Sequence, residues 1–136
     1  MSPGGEPSLT ELTAIVPFTA TLGIEIVSAT PEEVVGRLAW REELCTVGGA
    51  MHGGALMSLA DNLGGLCAYL NLPDGASTAT ISSSTNFLRG VREGHATATT
   101  RPLRVGRTVI VLETKVRDDS GRLATQTTQA QTVIGP

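Results

Sequence analysis

Apolar residues recur at Leu56, Leu59, Ala60, Leu63, Leu66, Cys67 and Leu70, the i, i+3, i+4, i+7 rhythm of a helix that buries one face. The pattern predicts one long helix over 54–70, with its apolar positions inside an arc of roughly 120°. The opposite face carries Gly54, Ser58, Asp61 and Gly65 instead of the Lys and Glu of a solvated stripe. Small residues there imply close approach to another backbone, and because the helix already has a sheet to cover, a second subunit is the expected neighbour.

The other patterns alternate. Residues 23–28 (Gly-Ile-Glu-Ile-Val-Ser) predict a strand, Thr30-Pro31-Glu32 a turn, and 34–40 its hairpin partner. Residues 41–51 have no regular period and read as a loop. After Pro73-Asp74-Gly75, Thr- and Val-rich segments predict strands at 77–87, 94–105, 107–118 and 122–133, with Asp118-Asp119-Ser120-Gly121 as a hairpin turn. Connections this short make the sheet antiparallel. Strand, strand, helix and four further strands give an α+β class: one antiparallel sheet of five to six strands wrapped around one long central helix. Residues 1–17, with a Pro/Gly-rich start and Pro17 interrupting a weak helical pattern over 9–22, are expected to form a flexible or weakly helical leader. Residues 18–134 make a single domain.

Composition narrows the possibilities. A chain of 136 residues supports one core and not two. A net charge of −3 and a pI near 5.3 argue against a nucleic-acid surface. Aromatic residues make up only 3%, so the core rests on Val, Leu, Ile and Ala, and stacking platforms for single strands are lacking. Cys45 and Cys67 have no metal-ligand spacing and read as packing residues, so no metal is expected and a reduced, cytoplasmic setting is. No apolar run approaches the roughly 18 residues of a membrane span, so no membrane partner is expected.

The candidate chemistry begins at His52-Gly53-Gly54, where flexible backbone opens the predicted helix, and continues to Asp61 about two turns later. A helix N-terminus presents unpaired N–H groups and a favourable dipole to developing negative charge. His52-Gly53-Gly54 followed by Leu59-Ala60-Asp61 resembles the hotdog-fold thioesterases of the phenylacetate-pathway and hydroxybenzoyl-CoA type. The likeness continues through Thr85-Asn86-Phe87-Leu88-Arg89, Arg92-Glu93-Gly94, the run from Pro102 to Arg107, and the run from Asp119 to Ala124.

This resemblance implies a hotdog fold and hydrolysis of an acyl- or aryl-acyl-CoA thioester to carboxylate and free CoA, with no cofactor beyond the CoA of the substrate. It implies that Asp61 acts as base or nucleophile, that the Gly53 amide polarises the thioester carbonyl, and that His52 positions the loop. Thr80 aligns with a Ser or Thr that, in relatives, reaches the attacking water or the carboxylate from a neighbouring strand. Thr46 stands where relatives commonly carry Asn or Gln. Gly54, Asn86, Gly106 and the arginines Arg89, Arg92, Arg104 and Arg107 fall where relatives hold the substrate. Arg also suits phosphate on its own chemistry, through a planar fork of donors. The resemblance further implies a homodimer as minimal unit and a homotetramer as the expected assembly. A Ser58–His52–Asp61 triad is rejected, because no GxSxG elbow is present. Two other readings remain: a non-catalytic acyl-CoA-binding protein of the same fold, and a hydratase, which ranks last.

Overall fold

A computed structural model describes residues 7–135. The expected loose leader at 1–8 therefore falls largely outside the described residues. The next residues form two short helices, α1 (Leu9–Ile15) and α2 (Pro17–Leu22). Ser8 caps α1 by accepting from the Glu11 amide, and Pro17, which cannot continue a helix, opens α2 instead. Leu12 is buried, so α1 packs on the domain although it precedes residue 18.

Six strands form one antiparallel sheet in the order β1-β2-β4-β5-β6-β3. They are β1 (Glu25–Thr30), β2 (Glu33–Ala39), β3 (Ser77–Phe87), β4 (His95–Val105), β5 (Val109–Arg117) and β6 (Leu123–Ile134). The long helix, α3 (Gly53–Leu70), lies across them, so sheet, helix and class agree with the hotdog fold. The loop at 41–51 contains one 3-10 turn (Glu42–Leu44) and a Cys45–Met51 bridge.

The helix meets two kinds of surface. Under one flank lie Val34, Leu38, Ala96, Ala98, Ile110, Leu112 and Val116, all buried, and Leu59 and Leu63 pack into them. Each such leucine contributes about 1.5–3 kcal/mol by leaving water. Gly36 in β2 makes room for Leu63, because a β-carbon there would sit 2.9 Å from Leu63 Cδ1. Under the other flank the buried residues are polar: Thr125, Thr127, Gln129 and Gln131, all on β6.

β3 is an edge strand and is almost wholly exposed. Its pairing with β6 shifts between Thr80 and Ser82, so Ile81 is a bulged extra residue. The bulge changes which parity faces the helix. Thr78 and Thr80 face it before the bulge; Ser83, Thr85 and Phe87 face it afterwards. Among the described residues no helix is long and apolar enough to cross a membrane.

Candidate functional site

Asp61 stands on the α3 flank above the polar strip of β6. Its Oδ1 accepts a hydrogen bond from Gln129 Nε2 at 3.0 Å. The same amide nitrogen lies 3.4 Å from Thr80 Oγ1, which also accepts from Gln131 Nε2 at 2.7 Å. Gln131 Oε1 lies 3.1 Å from the Thr78 hydroxyl, which also approaches the Thr132 carbonyl at 2.8 Å. Asp61 keeps an open side in the single chain, yet its carboxylate is enclosed enough for burial to raise its pKa above the ordinary carboxylate value. The Gln129 hydrogen bond opposes that rise by favouring the charged form.

Asp61, Thr80 and Gln131 also border a cavity of about 460 Å³. Leu12, Ile15 and Val16 from the N-terminal helices wall it on one side, and Ile26, Leu66 and Leu72 contribute further apolar wall. Among the described residues lining it, Asp61 is the one member of the Asp, Glu, Lys, Arg and His types. Thr19 Oγ1 donates to Asn62 Oδ1 at 2.6 Å, and Asn62 Nδ2 donates to the Ser58 carbonyl at 2.7 Å. That chain fastens α2 to the helix turn that carries Asp61.

The helix start is a second centre. His52 is the N-cap of α3, and its Nδ1 accepts from the Gly54 N–H at 2.8 Å. That leaves the Gly53 N–H, which has no intrahelical acceptor at this position, as the donor presented by the helix end. A β-carbon on Gly53 would sit 3.0 Å from Phe87 Cε1, so the ring packs closely over this glycine. Gly53 and Asp61 lie eight residues apart on one helix, which places them about 12 Å apart along its axis. One chain does not bring them together.

The remaining sequence candidates separate further. Thr46 is exposed in the loop, held by its amide to the Ala50 carbonyl at 2.8 Å, and does not line the Asp61 cavity. Arg89 and Arg92 line a polar recess of about 370 Å³ with Asp118, Asp119 and Arg122. Arg92 Nη1 there donates to the Gly48 carbonyl at 2.7 Å. Arg104, in the last residues of β4, and Gly106 and Arg107, in the β4–β5 turn, lie at the other end of β4. Gly106 closes that turn with its amide on Val109 O at 2.9 Å, where a β-carbon would meet the same oxygen at 2.7 Å. Asn86 pairs with Gln126 at 3.1 Å on the sheet face turned away from the helix. No group of three or more His, Cys, Asp and Glu side chains gathers among the described residues as a metal set.

Gln129, Gln131 and Asn62 are the site neighbours that sequence reasoning missed. Both parities of β6 are polar, with Thr125, Thr127, Gln129 and Gln131 on one and Gln126, Thr128 and Thr132 on the other. Alternation therefore could not say which row faced the helix. A better signal lay in Gly64, which is buried and stands on α3 between the apolar arc and Asp61.

The sequence profile of the thioesterase superfamily matches residues 48–125, more than half of the chain and inclusive of the helix start, Asp61 and Thr80. The chain belongs to the thioesterase superfamily. Among this superfamily member's relatives, a protein of Saccharolobus solfataricus provisionally named an esterase is 34% identical over 102 residues, covering 75% of this chain and 72% of its own. A thioesterase from Haemophilus influenzae superposes with a TM-score of 0.90 at 26% identity, covering 96% of this chain and 93% of that one. A mutant thioesterase from Pseudomonas aeruginosa gives a TM-score of 0.88 at 26% identity, with 96% of each chain covered.

Proposed function

We propose that this protein hydrolyses acyl-CoA thioesters whose acyl group is apolar and uncharged. The observation that carries the reading is Asp61, a carboxylate held by hydrogen bonds at the polar edge of an otherwise apolar cavity. A general base works best with a pKa near the operating pH, and burial moves Asp61 in that direction. In this reading the acyl group occupies the cavity, and Asp61 takes a proton from water as the water oxygen attacks the carbonyl carbon. The C–S bond then breaks, and the proton passes to the leaving sulfur to give carboxylate and free CoA. Direct attack by Asp61 through a mixed anhydride uses the same placement.

Developing charge on the carbonyl oxygen needs a donor, and the Gly53 N–H is suited to it. Because Gly53 and Asp61 of one chain stand a helix apart, the site draws Gly53 from one subunit and Asp61 from its partner. An eleven-residue edge strand whose outer side has no strand beside it, bearing exposed Ile81, supports the homodimer. A dimer of dimers follows from the resemblance alone. The arginines at the two ends of β4 are offered for the phosphates of CoA, and Thr46 for the water through its hydroxyl.

Free-thiol release from a panel of CoA esters differing in chain length and charge tests the reading. Turnover confined to uncharged acyl groups is expected. Binding of CoA esters without release across the panel would instead favour the non-catalytic binder.

A further inference from the structure

Gln129 is 1% exposed and Gln131 is 2% exposed, an unusual placement for two amides. Gln129 Oε1 is buried without a hydrogen-bond partner. It rests against Gly64, where a β-carbon would stand 1.8 Å from that oxygen. Burial of an unpaired amide oxygen costs stability, so the orientation is held by what the nitrogen does. An ionised carboxylate only accepts hydrogen bonds, so Gln129 must turn its NH₂ towards Asp61. The second proton of that NH₂ points to Thr80, where Gln131 supplies another N–H. A hydroxyl has two acceptor sites and one proton. With both acceptor sites engaged, the Thr80 proton is left to donate elsewhere.

We propose that Gln129 and Gln131 are positioning residues that tie Asp61 and Thr80 into one unit, leaving Asp61 Oδ2 and the Thr80 hydroxyl proton to face the reacting groups. Oδ2 is the oxygen that takes the water proton or attacks the carbonyl. The Thr80 hydroxyl becomes an obligatory donor to the water or to the thioester oxygen. Gly64 is the residue that lets Gln129 lie flat beneath the helix. Among the described residues, Asp61 and Tyr69 are the ionisable side chains lining the cavity. Asp61 is the carboxyl group of the two, and the acid limb of the pH profile is assigned to it. The catalytic part of this inference rests on the thioesterase reading.

The test is Gln129→Met, which keeps length and removes both donors, assayed by thiol release across pH. A kcat at least about tenfold lower with little change in KM is expected. The acid limb of kcat/KM should move to higher pH, because a donor to the charged form has been lost. Unchanged kcat and an unmoved acid limb would overturn the inference. Gly64→Ala displaces Gln129 without altering any hydrogen-bonding side chain and gives the same readout should Gln129→Met not fold. If the wild-type protein releases no thiol, the thioesterase reading fails, and ¹³C titration of the Asp61 carboxyl decides the remainder. A carboxyl pKa that rises in either variant supports the tie, and one that stays put overturns it.

Discussion

The Gln129 amide donates to Asp61 Oδ1 across 3.0 Å, joining the centre of β6 to a carboxylate on α3. This contact separates the two flanks of the helix. One flank is an apolar core in which Leu59 and Leu63 are fully enclosed, and the other is a polar strip that holds a charge. The first flank stabilises the fold, and the second holds a carboxylate partly enclosed, where its ionised form is costly.

That cost gives a pH signature. Burial raises the Asp61 pKa, so folding favours its protonated form and the ionised form costs stability at neutral pH. Asp61→Asn should therefore melt slightly above the wild type near neutral pH. The gap should close on acidification, as wild-type Asp61 is protonated through its raised pKa and then below the ordinary carboxylate value. Thermal melts of both proteins from neutral to acidic pH check it. A gap that widens on acidification would reverse the sign.

Cys67 offers an independent check on the core. Its thiol is buried beneath α3, and burial, with a contribution from the negative charge of Glu32, pushes its pKa up to about 11. Cys45 is only partly buried. A thiol reagent near pH 8 should label Cys45 readily and Cys67 only after unfolding, since the thiolate is the reacting form. Equal labelling rates in the native protein would contradict the packing.

Gly36→Ala tests a close helix–sheet approach on the apolar flank. The new β-carbon would press on Leu63, which has no room to retreat, and on the Glu25 carbonyl at 3.2 Å. A loss of about 1–3 kcal/mol is expected, read as a lower urea midpoint at unchanged slope. An unchanged midpoint would show that the flank is looser than described.

The fold was legible because its signals are periodic. The helix and all six strands fall within one to two residues of where alternation and turn chemistry place them. The face of α3 bearing Asp61 was legible as well, through its small residues. The surroundings of the carboxylate were not, because a strand that is polar on both faces gives no parity to read. The β3 bulge at Ile81 also reverses facing halfway along the strand, which alternation alone does not foresee. Gly64 carried the one usable hint: a glycine inside a helix costs about 1 kcal/mol against alanine unless something must lie close, and here it is Gln129.

The exposed edge strand predicts assembly. Ile81 is 60% exposed at the bulge in the middle of β3. A charge at that point on a paired edge would oppose association. Size-exclusion chromatography with light scattering should find the wild type as a dimer or larger and Ile81→Asp shifted to monomer. A monomeric wild type would remove the shared site.

The most direct test of the account is the steady-state thiol release of Asp61→Asn against the wild type, on the best CoA ester and with the oligomer shown intact. The substitution keeps size and removes the charge. A fall in kcat of about 10²- to 10⁴-fold, with the fold preserved, is the predicted result. Turnover at the wild-type rate would contradict the account, because Asp61 would then have no part in the reaction.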